Sequence, residues 1–161
     1  MPRSSPRSRS RTRPKRSTPR HDSAELRSHC PINFVAETFG DKWTLLVIRD
    51  LMFKGKRHFS EFRASEEGIA SNILADRLQK LEACGVVEKR PDPAHRSKLI
   101  YELTRKGRDL MPVMLEITAW SARYDARTNT PKSFLAAIER DRDGLEKGLL
   151  AALDAGQKVG P

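Results

Sequence analysis

Between Gly68 and Arg90 the chain reads GIASNILADRLQKLEACGVVEKR. Leu74, Leu78 and Leu81, with Ile73 at the edge, form an apolar stripe at helical spacing. Opposite them fall Ser71, Asn72, Ala75, Asp76 and Gln79. Asn72 is of the type that bonds adenine through two hydrogen bonds, and Ala75 of the type that packs on a thymine methyl. Ser71 is small enough for close backbone approach, and Arg77 is long enough to reach a phosphate. Asp76 would repel phosphates; it suits a cytosine amine or a pairing with Arg77. Taken alone, such a helix also fits an ordinary core helix with a solvated back. Its neighbours decide between the two.

Helix signals surround it. CPINFVAETFG reads as a short helix stopped by Gly40, and Asp41 suits the cap of a second helix carrying Trp43, Leu46, Val47, Ile48 and Leu51. HFSEFRAS reads as a short helix capped by Ser60, with Phe59 and Phe62 inward. The helix over about 70–84 stops at Gly85. VVEKR and KLIYELT follow as strands, with Leu99, Tyr101 and Leu103 expected on one buried face, joined by the loop PDPAHRS. Short helix, turn, amphipathic helix and basic-tipped hairpin together describe a winged helix-turn-helix. The second helix of the pair then enters the major groove by its N-terminal half. His95, Arg96 and Lys98 lie at the hairpin tip, over the minor groove or flanking phosphates. The expected fold is mainly α with a small β-hairpin wing.

Thr104 caps a further helix over about 105–125, in which Pro112 predicts a kink. Leu110, Val113, Ile117, Trp120 and Tyr124 are spaced 3, 4, 3, 4 along it, a heptad-like seam suited to a second copy. Thr130 and Pro131 then open one helix running to about Ala155. The organisation expected is a basic arm over 1–23, a DNA-binding domain over 24–125 and a helical extension over 126–161.

Charge alone does not identify a nucleic-acid binder. The net charge is +10, and eight basic residues without an acid fall within residues 1–20, leaving +2 for the rest. The Arg/Ser/Pro arm is too polar and too like-charged to fold by itself. It reads as a DNA phosphate-binding arm, a solubilising tail or an RNA-binding segment. No large apolar residue falls between 2 and 23, which argues against a secretory signal or transit peptide. No run approaches a membrane span. Two cysteines, Cys30 and Cys84, are too few for a disulfide scaffold, and a cytoplasmic, nucleoid-associated protein is expected. His21, His29, His58 and His95 make no zinc-like spacing, so no metal or other cofactor is expected. No phosphate loop, nucleophile elbow or dinucleotide fingerprint is present, which argues against an enzyme. The rival reading is an interaction module whose arm binds RNA without sequence preference.

The Cys-Pro start, GDKWTLLVIRDL, RHFSEF, GIASNILADRLQKLEACGVVEKR and YELTRKG together resemble the HxlR-type winged helix-turn-helix regulators, relatives of the MarR group, over about residues 29–124. The resemblance implies a homodimer on a palindromic double-stranded DNA operator, acting as a repressor or an activator. It places the recognition helix on about 70–84 and the wing on about 86–103. It puts the dimer contact on the first helix, with Phe34, and on the helix from Leu110 to Tyr124. The hydroxyl usual at the recognition-helix start is Ala70 here, leaving Ser71 as candidate cap. In several members the cysteine before this proline senses oxidants or electrophiles, which maps onto Cys30. An organic effector in a pocket at the dimer interface, lined by Phe34, Trp43 and Trp120, is a further expectation.

Overall fold

The computed structural model describes residues 27–157; the basic arm over 1–23 lies outside them. In chain order the elements are α1 (Pro31–Phe39), α2 (Thr44–Met52), α3 (Phe59–Arg63), α4 (Ser71–Ala83), β1 (Val87–Pro91), β2 (Leu99–Leu103), α5 (Arg105–Arg108), α6 (Met111–Tyr124), α7 (Lys132–Arg140) and α8 (Arg142–Asp154). The strands pair antiparallel, from Val87 opposite Leu103 to Pro91 opposite Leu99. The fold is a winged helix-turn-helix with helices on both sides.

Local chemistry sets the boundaries. Pro31 opens α1, where a missing N–H costs nothing. The Gly40 N–H closes the helix on the Ala36 carbonyl at 2.9 Å. A Cβ there would lie 2.1 Å from that oxygen, so the close approach requires glycine although φ is −75°. The Asp41 carboxylate accepts the backbone N–H of Trp43 (2.8 Å) and Thr44 (3.0 Å) and the Thr44 hydroxyl, which starts α2. Gly85, at φ +72°, ends α4 in the left-handed region that other residues avoid.

The core joins all the layers. Ile48 and Met52 of α2, Phe62 of α3, and Leu74, Leu78 and Leu81 of α4 are fully buried. Val86, Val87 and Leu103 seal the hairpin base. Met111, Met114 and Leu115 bring α6 onto the same core. Ile138, Leu149 and Leu153 add α7 and α8 to it. Arg142 with Glu116 and Arg108 with Asp154 tie α8 to α6 and α5.

Several expected boundaries are corrected. His58, not Ser60, precedes α3 as its cap residue, and the Glu61 carboxylate accepts the N–H groups of Arg57 and His58 at 2.7 Å each. The helix expected over 105–125 breaks at Asp109–Leu110, so Pro112 falls in the first turn of α6 and kinks nothing. The helix expected from Pro131 to Ala155 divides at Asp141, whose carboxylate accepts the Gly144 N–H at 2.9 Å and starts α8. Pro131 precedes α7 rather than opening it. On β2 only Leu103 of the expected face is buried. Tyr101 is half-buried and Leu99 exposed because the hairpin leaves the core towards its tip, and Ile100 is buried on the other face.

Candidate nucleic-acid interface

The start of α4 is set by Gly68, at φ +67°, and by buried Ile69. Ala70 occupies the cap position in extended conformation without a side-chain acceptor. Ser71 is the first helical residue and caps nothing, contrary to expectation. The first-turn N–H groups are therefore not closed by a cap side chain, an arrangement that suits a phosphate oxygen. Ser71, Asn72, Ala75, Asp76 and Gln79 form an exposed row. Among the described residues, Asp76 alone of the row has a side-chain partner, Arg77, at 3.2 Å.

Arg77 does not belong to that row. It is half-buried, and its guanidinium donates to Asp41 at 3.1 Å, with its Nε buried and unpartnered. It ties α4 to the turn before α2. Lys80 holds the same side of α4 by donating to the Glu37 carbonyl at 2.7 Å. Burial pushes the Asp41 carboxyl up, but the Thr44 hydroxyl, two backbone N–H groups and Arg77 outweigh it and hold it below the usual range.

A polar cluster under the turn positions the helix. Asp50 is 2 % exposed. It accepts from Lys56 Nζ at 2.8 Å, from Arg49 at 2.7 and 3.0 Å, and from the Ser65 hydroxyl. Arg49 reaches on to Glu67, donating to both carboxylate oxygens, one at 3.1 Å. Glu67 lies in the turn between α3 and α4, so the cluster fastens that turn to α2. Arg49 is the main cause that lowers the Glu67 carboxyl to about 2. Asp50 is pushed up by burial, but Lys56, Ser65 and Arg49 bring it below its ordinary value.

The wing divides its charges. Along its body, Glu102 pairs with Arg57 and Arg90, and Lys89 pairs with Glu82 at 2.7 Å. At its tip His95, Arg96 and Lys98 are exposed and make no ion pair among the described residues. Buried Asp92 organises the tip: it accepts from the Ala94 N–H at 2.8 Å and meets His58 Nε2 at 2.9 Å, while its own N–H donates to the Lys98 carbonyl. Sequence reasoning missed this His58–Asp92 contact, which links α3 to the wing. It also missed Arg63, exposed on α3 without an ion-pair partner among the described residues. The position of α3, as first helix of the pair, was the available signal for Arg63, because that helix crosses the backbone in DNA-bound helix-turn-helix proteins.

The seam residues Val113, Ile117, Trp120 and Tyr124 are exposed on α6, and Trp120 packs on Tyr124 at 5.3 Å between ring centroids. Leu110 is half-buried against the core. On α1, Ile32, Phe34 and Val35 are exposed. Phe34, Trp43 and Trp120, expected to line an effector pocket at the dimer interface, share no cavity within one chain: Trp43 packs on the core and lines a cavity of about 10 Å³ with neither of the others, and Phe34 and Trp120 are exposed on α1 and α6. Cys30 is an exposed free thiol at the cap of α1, and Cys84 is a half-buried one donating to the Leu81 carbonyl. Among the described residues no His, Cys, Asp and Glu side chains gather as a metal site, and no helix is long and apolar enough to cross a membrane.

The family model for HxlR-like helix-turn-helix proteins matches residues 38–129. The chain belongs to the HxlR-like helix-turn-helix family. Its relatives are transcriptional regulators rather than enzymes. A Synechocystis regulator, sll1512, is 34% identical over 86 residues, 53% of this chain and 63% of that protein, so the chain spans less than two thirds of its length. Bacillus subtilis YodB is 36% identical over 85 residues, 53% of this chain and 75% of YodB. Reduced YodB superposes with a TM-score of 0.51 at 33% identity, covering 63% of this chain and 100% of that one. The oxidised redox regulator HypR gives 0.52 at 33% identity, covering 58% and 96%.

The cluster under the turn generates a stability prediction. Asp50→Ala should lower the unfolding free energy by about 3 kcal/mol in urea denaturation at neutral pH, because the half-buried Arg49 and Lys56 lose the buried carboxylate they share. A loss below about 1 kcal/mol would remove the cluster from its positioning role. The folded carboxyls of Asp50 and Glu67 are depressed, so their contribution is complete above the ordinary carboxylate range. It is lost as pH falls from about 5 towards 2. Glu67→Gln should flatten the drop in urea midpoint between those limits.

Proposed function

We propose that this HxlR-like protein binds an inverted-repeat DNA operator as a homodimer, with α4 in the major groove and the wing tip on the flanking groove or backbone. The observation that carries this is the division of polar groups. The back of α4 is committed to the protein through Arg77 and Lys80, while Ser71, Asn72 and Gln79 on its front have no side-chain partner among the described residues. In the same way the cations of the wing body are paired, and those of its tip are open. A helix whose hydrogen-bonding groups are left unpaired on one face is suited to base edges. Arg96 and Lys98 are suited to phosphates.

A homodimer is supported by the two apolar rows left uncovered on α1 and α6. Single exposed apolar residues are ordinary, but seven on two helices suit an association surface. A twofold pairing would set the two α4 helices about one DNA turn apart. The domain limits at 24–125 and 126–161 remain part of this reading, as does a phosphate-binding role for the arm. Cys30 is proposed as a redox or electrophile sensor: it is exposed and unpaired, and HypR is named for redox regulation.

Selection of genomic duplexes by the full chain in reducing buffer should enrich one inverted repeat. On that repeat Asn72→Ala should relax preference at one or two base pairs, at a cost of about 1–3 kcal/mol each. Arg96→Ala should weaken all sequences alike and reduce the salt slope by about 1. Sequence-blind binding by the unmodified chain would favour the rival module whose arm binds RNA. For the sensor, hydrogen peroxide should oxidise the Cys30 thiol to the sulfenic acid, itself reduced to water, and change operator affinity. Cys30→Ser should bind the operator equally well and show no response; a retained response would move the sensor elsewhere.

A further inference from the structure

A groove of about 580 Å³ lies between α2, α6 and the segment 125–131 that leads to α7. Pockets for small organic molecules fall within roughly 300–1,000 Å³. The groove is distinct from the expected pocket at Phe34, Trp43 and Trp120, none of which lines it. Its floor is apolar: Leu45, Leu46 and Phe53 from the α2 side, Met114 and Ile117 from α6. Its lip is polar, made by Ser121, Thr128, Asn129 and Thr130. None of these four side chains makes a hydrogen bond among the described residues, although Ser121, Thr128 and Thr130 are half-buried. An apolar floor below open hydroxyl and amide groups is the pattern of a ligand site.

The charges at the groove select the class of occupant. Arg49 is held by Asp50 and Glu67, Lys54 lies 3.6 Å from Glu66, and Arg127 pairs with Asp125 at 2.8 Å. Every cation lining the groove therefore has an acidic partner already. A charged ligand would have to lose water without gaining an unpaired counter-charge. A neutral one buries its ring on the floor and bonds the lip.

We propose that this groove binds a small neutral molecule with a ring-sized apolar body and a hydroxyl or carbonyl group. Ile117 belongs both to the groove and to the exposed seam of α6, whereas Glu66 and Glu67 belong to the turn that leads into α4. An occupant touches both. Given the operator reading, it is thereby placed to alter how the dimer presents α4, through the bidentate Arg49–Glu67 pair.

The test uses the full chain without DNA, so that it stands or falls apart from the operator reading. The chain is labelled with ¹³C at its methionine methyls. Met114 lines the groove, and the fully buried Met52 and Met111 report the fold. The probes are benzyl alcohol, benzoate and benzylamine, matched in ring and different in charge. Benzyl alcohol should shift the Met114 methyl, with benzoate and benzylamine at least roughly tenfold weaker. Ser121→Trp should fill the groove and abolish the shift while the Met52 and Met111 signals hold their positions. If that variant fails to fold, the pair Thr128→Val with Asn129→Leu, which removes lip groups in the linker between α6 and α7, should weaken benzyl alcohol roughly tenfold. No Met114 shift with any probe, a preference for either charged probe, or undiminished binding in the lip variant would overturn the proposal.

Discussion

The buried carboxylate of Asp50 is the constraint around which this molecule is arranged. A charge with 2 % exposure is tolerated only where its surroundings supply several donors. Lys56, Arg49 and Ser65 supply them from three places along the chain: the turn after α2, α2 itself and the turn after α3. Satisfying one carboxylate therefore fixes where the helix-turn-helix sits on α2. Arg49 extends the constraint to Glu67, one residue before the left-handed Gly68 that releases the chain into α4. Hydrophobic burial of Leu74, Leu78 and Leu81 supplies the larger stabilisation, but it is non-directional. The ion-pair cluster sets the angle at which the helix is held.

The polar face of α4 owes its availability to what is tied down behind it. Arg77 and Lys80 reach back to Asp41 and to the Glu37 carbonyl. Asp41 also starts α2, so a single carboxylate joins the beginning of one helix to the back of another. The wing follows the same rule at larger scale. Its body is neutralised by Glu82 and Glu102, and its tip is shaped by Asp92, which leaves three basic or titratable side chains facing outward. A charge that is paired builds the fold. A charge that is left unpaired on a rigid element is free for a ligand.

Much of this was legible in the chain of residues, for identifiable reasons. The stripe Leu74, Leu78, Leu81, the glycine at 85 and the β-forming runs of the hairpin are short-range signals, and all three elements form where they fall, although the burial read for β2 holds only at Leu103. The seam on α6 was legible because its 3, 4 spacing is a property of one helix; its exposure could be read only from the fold. The misses share a different cause. Whether Arg77 faces outward depends on Asp41, thirty-six positions away, and no local rule couples them. The same holds for His58 and Asp92, which meet across thirty-four positions. Asp141 was read through as part of one helix, because its carboxylate can either sit in solvent or cap the next turn, and only the packing of α7 against α8 selects the second.

In the dimer proposed above, the α6 seam carries two copies of α4 to a spacing that matches DNA. It can be measured directly by attaching a spin label at Gln79→Cys in a chain with Cys30→Ser and Cys84→Ser, and reading the distance between labels by pulsed dipolar spectroscopy. One intermolecular distribution centred near one turn of DNA, roughly 34–36 Å, is expected. No intermolecular coupling at all, or a centre near half that distance, would contradict it.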